Sequence, residues 1–125
     1  MKKILLAVFL ALWWVSVVLA SGGLHSSRRN NWGAIAYSKS SGRIGYSYDY
    51  ATEAQAINSA VERCGVRDCQ AVVWFVNGCG ALAKGDKGYG WAIGASRSEA
   101  EGKALAECRK RGGGCRIVQW ACTSR

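Results

Sequence analysis

The residues of this 125-residue chain with the most chemistry to offer are six cysteines: Cys64, Cys69, Cys79, Cys108, Cys115 and Cys122. A thiol can ligate zinc, act as a nucleophile or pair as a disulfide, and spacing separates the three. Zinc ligands recur as C-x-x-C or with histidines, but no C-x-x-C occurs here and the only histidine, His25, lies in a polar leader away from the cysteines. A cysteine nucleophile needs a nearby base, and with no histidine in the cysteine-bearing part none is evident. An even number of cysteines behind an export signal reads as a disulfide framework. Three disulfides are therefore expected, with no metal and no cofactor.

The acids offer little more. Glu53, Glu99 and Glu101 fall in first helical turns, where a carboxylate complements the positive end of the helix dipole. Glu62 and Glu107 sit among Arg63 and Arg109 near helix ends, and Asp49, between Tyr48 and Tyr50, is expected at the surface near a turn. The glycine-rich "GDKGYG", residues 85–90, lacks the Lys-Ser/Thr ending of a phosphate loop and lies between two strand patterns, so it reads as a hairpin turn. No catalytic residue is assigned, and a non-enzymatic chain is expected.

Binding chemistry is better represented. Tyr46, Tyr48, Tyr50, Tyr89 and Trp91 alternate along two strand-like segments flanked by Arg43, Lys84, Lys87 and Arg97. On an exposed sheet face, such rings could stack on sugars, bases or lipid headgroups; period two at this density predicts instead that at least one ring in each segment enters the core. Tyr48 and Trp91 are the candidate platforms, while Trp74 and Trp120 are expected in the core of central strands. "RKRGGGCR" is the densest basic cluster, and its Arg109, Lys110, Arg111 and Arg116 could grip phosphates of an envelope polymer or a nucleic acid, or simply serve as the usual cations of a helix C-terminus.

The elements that must hold these residues begin after an N-terminal "MKKILLAVFLALWWVSVVLA". Two lysines, an apolar run and a small residue at Ala20 form the pattern of a secretory signal cleaved after residue 20, at a length that just reaches the lower limit for a spanning helix. The exported product, Ser21 to Arg125, would keep 15 of the 17 basic residues against 8 acids, a formal charge of +7. Such a charge favours encounter with anionic polymers and says nothing about fold. Residues 21–31, "SGGLHSSRRNN", lack apolar periodicity and predict a flexible arm.

From Trp32 the chain states one pattern twice: "WGAIAYS" at residues 32–38 returns 47 positions later as "CGALAKG". Strands are predicted at "RIGYSYDY" and "GYGWAIG", at "CQAVVWFVNGC", expected to be central, and at "CRIVQWAC". Thr52 with Gln55, and Ser96 with Glu99, are capping signatures for two helices. Their apolar faces read Ala54, Ile57, Val61 and Cys64, then Ala100, Ala104, Leu105 and Cys108, and Gly65 suits a left-handed stop. Asn77-Gly78 reads as a two-residue hairpin into the second half. Each half is strand, strand, helix, strand, with repeat 1 at about 32–78 and repeat 2 at about 79–125; a unit of about 45 residues is too small to close a core alone.

The repeat orders the cysteines. Cys64 and Cys108 end helices while Cys69 and Cys115 begin the next strands, which suggests the pairs 64–69 and 108–115 and leaves 79–122 as a tie between the halves. Sequence alone allows fifteen pairings.

The blocks "DCQAVVWFVNGCGALA", "YGWAIGASRSEAEGKALAEC" and "GGGCRIVQWAC" resemble the bacterial domain-of-unknown-function family DUF4189, over Trp32 to Cys122. The resemblance implies a small exported bacterial domain of duplicated units held by disulfides, with no catalytic residues to carry over.

The expectation is thus a single α+β domain, residues 32–125, with antiparallel strands and two helices related by an internal pseudo-two-fold. Its expected role is a secreted or periplasmic binding module, with an effector role open, without stable membrane insertion. The alternatives are a cationic binder of envelope polymer or nucleic acid, and an inhibitor or immunity-type protein that blocks a partner enzyme.

Overall fold

The computed structural model describes residues 29–125, so the signal segment and residues 21–28 of the leader lie outside the described residues. The elements are β1 (Trp32–Tyr37), β2 (Ile44–Tyr50), α1 (Glu53–Cys64), β3 (Gln70–Val76), β4 (Cys79–Lys84), β5 (Tyr89–Gly94), α2 (Arg97–Arg109) and β6 (Arg116–Cys122). Local chemistry sets the helix ends. The Thr52 hydroxyl accepts from the Gln55 amide and the Ser96 hydroxyl from the Glu99 amide, and Gly65 closes α1 at φ +82°.

Each half builds its own three-stranded antiparallel sheet, in the order β2-β1-β3 and β5-β4-β6. The halves therefore share one pairing scheme, with the first strand of each at the centre. Contacts between the sheets match under exchange of the halves: β3 meets β4 and β5, and β6 meets β1 and β2.

Strand alternation sorts the side chains into layers. Ala34 and Ala36 of β1 pack on Ala56 and Ala60 of α1, and Ala81 and Ala83 of β4 pack on Ala100 and Ala104 of α2. The opposite faces of β1 and β4 meet each other through Ile35, Tyr37 and Leu82, with Val73 of β3. The order of layers is helix, sheet, sheet, helix. Alanine against alanine brings each helix close to its sheet, and Gly45 and Gly90 mark the tightest points. A Cβ on Gly45 would overlap the Ala60 carbonyl and the Cys64 amide, and one on Gly90 the Cys108 amide and the Ala104 carbonyl.

The disulfides are Cys64–Cys69, Cys108–Cys115 and Cys79–Cys122. The first two staple a helix exit to the start of the next strand. The third does not tie the halves together, because Cys79 of β4 and Cys122 of β6 are register partners in the second sheet, with Cα atoms 4.0 Å apart. The corresponding partners in the first sheet are Trp32 and Val76.

Several side chains depart from the sequence expectation. β3 is an edge strand rather than a central one, since β1 takes the middle of its sheet. Trp74 and Trp120 accordingly lie on edge strands and keep 45% and 37% of their surface exposed, outside the core. Ala54 is exposed, and the buried stripe of α1 is Ala56, Ala60 and Cys64. Asn77-Gly78 makes no hairpin, because β3 and β4 belong to different sheets. Instead Asn77, at φ +49°, accepts from the Asn31 amide and donates to the Asn30 side chain, which fixes residues 30 and 31 of the expected arm.

Candidate functional site

Sheet geometry decides where the aromatic residues go. Ile35 pairs with Tyr46 and Leu82 with Trp91, so Tyr46, Tyr48, Tyr89 and Trp91 point toward the opposite sheet rather than toward a helix. At the rims of the sandwich that opposite sheet covers them only in part. Tyr46 keeps 40%, Tyr48 49% and Trp91 38% of its surface exposed. The helix-facing positions of β2 are the small Gly45 and Ser47, both buried, with the Ser47 hydroxyl donating to the Ala56 carbonyl at 2.6 Å. Alternation in β2 was legible in the sequence, and one ring of the segment does enter the core: beyond the bulge Tyr50 packs against the helix-side cluster and its hydroxyl accepts from Ser59 of α1 at 2.8 Å, whereas Tyr46 and Tyr48 stay on the other face.

Two clefts result. The first, of about 550 Å³, lies where β3 meets β5 and is lined by Trp74, Trp91, Tyr89, Lys39, Gln70 and Asp68 among others. Tyr89 stacks on Trp91 with ring centroids 5.3 Å apart and meets Tyr37 at 5.5 Å. The Lys39 ammonium stands 5.4 Å from the Tyr89 ring centre, and Lys84 stands 5.7 Å from that of Tyr37. The second cleft, of about 440 Å³, lies where β6 meets β2 and is lined by Tyr46, Tyr48, Gln119 and Trp120. The Arg97 guanidinium lies 3.9 Å from the Trp120 ring centre. The two candidate platforms therefore do not share one surface: Trp91 lines the first cleft and Tyr48 the second.

The basic cluster is partly engaged. Lys110 pairs with Glu107 at 2.8 Å, while Arg109, Arg111 and Arg116 are exposed. Arg111 comes beside Tyr89 and Trp91 in a smaller pocket that adjoins the first cleft, so the structure brings Arg111 and Trp91 together.

One polar group of the first cleft gave no sequence signal. Asp68 accepts from the Ser38 hydroxyl at 2.6 Å and the Ser40 amide at 3.0 Å, and Ser38 is fully buried. These hydrogen bonds, that from Ser38 first, hold the Asp68 carboxyl below the ordinary aspartate range. Asp49 is held low by the Ser124 hydroxyl and then the Ser124 amide, and Glu99 by its hydrogen bond from Lys103 and then the Ala95 amide. Asp49 sits at φ +64° where the β1–β2 register shifts, so this bulge aims its carboxylate at the C-terminal segment. Among the described residues, all six cysteines are in disulfides and no cluster of His, Cys, Asp and Glu could hold a metal. No helix among them is long and apolar enough to cross a membrane.

A family model described as "Domain of unknown function (DUF4189)" matches residues 32–122. Protein Rv1269c of Mycobacterium tuberculosis is 43% identical over 91 residues, covering 73% of this chain and 68% of its own. Uncharacterized protein Rv1813c of the same organism is 40% identical over 92 residues, covering 74% of this chain and 60% of its own length. The NMR structure of Rv1813c is similar in fold, with a TM-score of 0.58 at 36% identity, over 79% of this chain and 80% of that one.

Proposed function

The chain belongs to the DUF4189 family, and from that premise we propose that it is an exported, non-enzymatic binding module whose ligand seat is the cleft between β3 and β5. The observation that carries this reading is the stacked Tyr89–Trp91 pair, open to solvent beside Trp74 and Lys39. Large rings left partly uncovered at the rim of a small domain offer flat apolar faces at little entropic cost, and an ammonium and a fixed carboxylate at their edge supply direction. Support for export comes from the signal pattern at residues 1–20 and from three disulfides, which persist in oxidising compartments. Support for a non-enzymatic role is that all six cysteines are held in disulfides, which leaves no thiolate nucleophile among the described residues.

A second reading rests on Arg111: its place beside Trp91 lets the basic cluster of Arg109, Lys110, Arg111 and Arg116 extend the cleft toward an anionic polymer. A blocking inhibitor or effector partner would use the same exposed rings against a protein surface.

The test is capture from envelope and culture fractions by the secreted, oxidised protein and by its Trp91→Ala variant, at low and high salt, with far-UV circular dichroism as the folding control. Material retained by the parent and lost by Trp91→Ala supports the cleft as the seat. Equal retention by both proteins overturns it. Release of that material by salt assigns the anionic-polymer reading, and retention of one protein at high salt assigns the protein-partner reading.

A further inference from the structure

Ring placement and charge in the first cleft restrict what it can hold. Trp74 of β3 and Trp91 of β5 line it from the two sheets, and both rings are partly exposed. Tyr89 lies against Trp91 at an interplanar angle of 28°, so the Trp91 ring is held in place while part of it stays open to solvent. A ring fixed in this way offers a flat apolar face at little entropic cost.

The charged lining works against ligands of either sign. Asp68 is exposed, and with the Ser38 hydroxyl bonded to one carboxylate oxygen and the Ser40 amide to the other it is held ionised, so it repels an anion. Lys39 stands over Tyr89 and Lys84 over Tyr37, so the tyrosine faces that could draw a cation already carry one. The adjoining smaller pocket is balanced in the same way, with Arg111 and Glu107 both in its lining. An uncharged ligand meets neither penalty.

Among uncharged ligands, the hydrogen-bonding groups favour a sugar. Each Asp68 oxygen has a lone pair beyond the one its serine partner uses, and Gln70 brings an acceptor and two donors to the same cleft. Hydroxyl groups, which donate and accept, satisfy both residues together. A proline-rich segment would also lie on exposed rings, but its prolines have no N–H, and its carbonyls leave an ionised carboxylate without a donor. A purely apolar ligand would strip water from Asp68 and return no hydrogen bond. A pyranose instead lays its C–H face on an indole while its hydroxyls reach the polar lining. The cleft volume of about 550 Å³ lies within the range of small-molecule seats, roughly 300 to 1,000 Å³.

We propose that the first cleft binds an uncharged pyranose oligosaccharide, with sugar rings stacked on Trp91 and Trp74 and hydroxyls bonded to Asp68 and Gln70. This rests on the reading of that cleft as the ligand seat.

Titration calorimetry of the secreted, oxidised protein tests it. The probes are neutral hexasaccharides of glucose, mannose, galactose and N-acetylglucosamine, beside hexasaccharides of galacturonic acid and of glucosamine and a proline decapeptide. The expected result is a single equivalent of at least one neutral hexasaccharide, at an affinity that does not change between low and high salt. Trp91→Ala should weaken that binding about tenfold or more, Trp91→Phe, which keeps a ring, by less, and Asp68→Asn about tenfold. Preference for the acidic or the basic hexasaccharide overturns the uncharged assignment, and preference for the proline peptide overturns the sugar. If no probe binds while envelope material is still captured by the parent and lost by Trp91→Ala, the sugar falls and the cleft stands as the seat. If a neutral hexasaccharide binds and no variant weakens it, or if neither probe nor captured material responds to Trp91→Ala, the sugar seat and the cleft reading both fall. Circular dichroism of each variant verifies that it is folded.

Discussion

Asp68 shows how a short polar turn acquires a role that its own sequence does not announce. The "SKSS" turn at residues 38–41 points Ser38 inward, and its hydroxyl reaches Asp68, 30 residues later. Because that bond and the Ser40 amide lower the pKa of Asp68, the ionised form is favoured in the folded protein. A carboxyl whose folded value is depressed stabilises above its unfolded value, near 3.9, and that stability is lost as pH falls through the lower folded value. Asp68→Asn should therefore cost stability at neutral pH, and the difference from the parent should shrink on acidification below about pH 4. Urea midpoints across an acid series measure this; a difference that stays constant with pH would show that the Asp68 charge is irrelevant. Asn77 is the companion case. As part of Asn-Gly it reads as a hairpin, and only the separation of β3 from β4 into different sheets turns its side chain to Asn30 and Asn31.

At the level of the elements, caps and alternation were legible because they are local. Thr52, Ser96 and Gly65 act within a few residues of themselves, and so do the two short disulfides, whose cysteines are 5 and 7 positions apart. Strand neighbours were not legible: β3 follows α1 in sequence yet ends at a sheet edge, and so do its tryptophan and its valines. The Cys79–Cys122 link belongs to the same scale. It fastens β4 to β6 and closes 43 positions of chain, so removing it with the double change Cys79→Ala and Cys122→Ala should cost about 4 kcal/mol through the unfolded state. Each short staple restricts a much smaller loop and should cost about 2 kcal/mol. Denaturant unfolding of the three cysteine-pair variants compares them, and an equal loss from all three would refute the loop-length ordering.

For the whole molecule, the sheets are held face to face by side chains rather than by a disulfide, and Phe75 is the clearest of these. It is 3% exposed, and a Cβ on Gly33 of β1 or on Gly80 of β4 would run into its ring. Glycine at corresponding places in both central strands thus opens a slot that a single phenylalanine fills; the second half has Ala121 at the matching position. Phe75→Ala leaves a void between the two sheets and should cost about 3 to 5 kcal/mol, read from the urea midpoint. A loss below about 1 kcal/mol would mean that the sheets close over the gap and that the slot is not what joins them.

The sequence alone determined the features that depend on near neighbours or on the comparison of one half with the other: the cysteine framework, two capped helices, the α+β class and the fourfold order of elements in each half. Such features follow from hydrogen bonds and periodicities a few residues long, and the second half states them again. Only the tertiary structure decided that the halves form two facing sheets, that Cys79 and Cys122 lie within one of them, and that Tyr48 and Trp91 line separate clefts. The physical reason is that an alternating strand fixes which side chains share a face but not what covers that face. Here glycine and alanine let the helices take the small-residue side, with Trp32 and Tyr50 at its margin, and Tyr46, Tyr48, Tyr89 and Trp91 were left on the faces between the sheets, where the rims expose Tyr46, Tyr48 and Trp91.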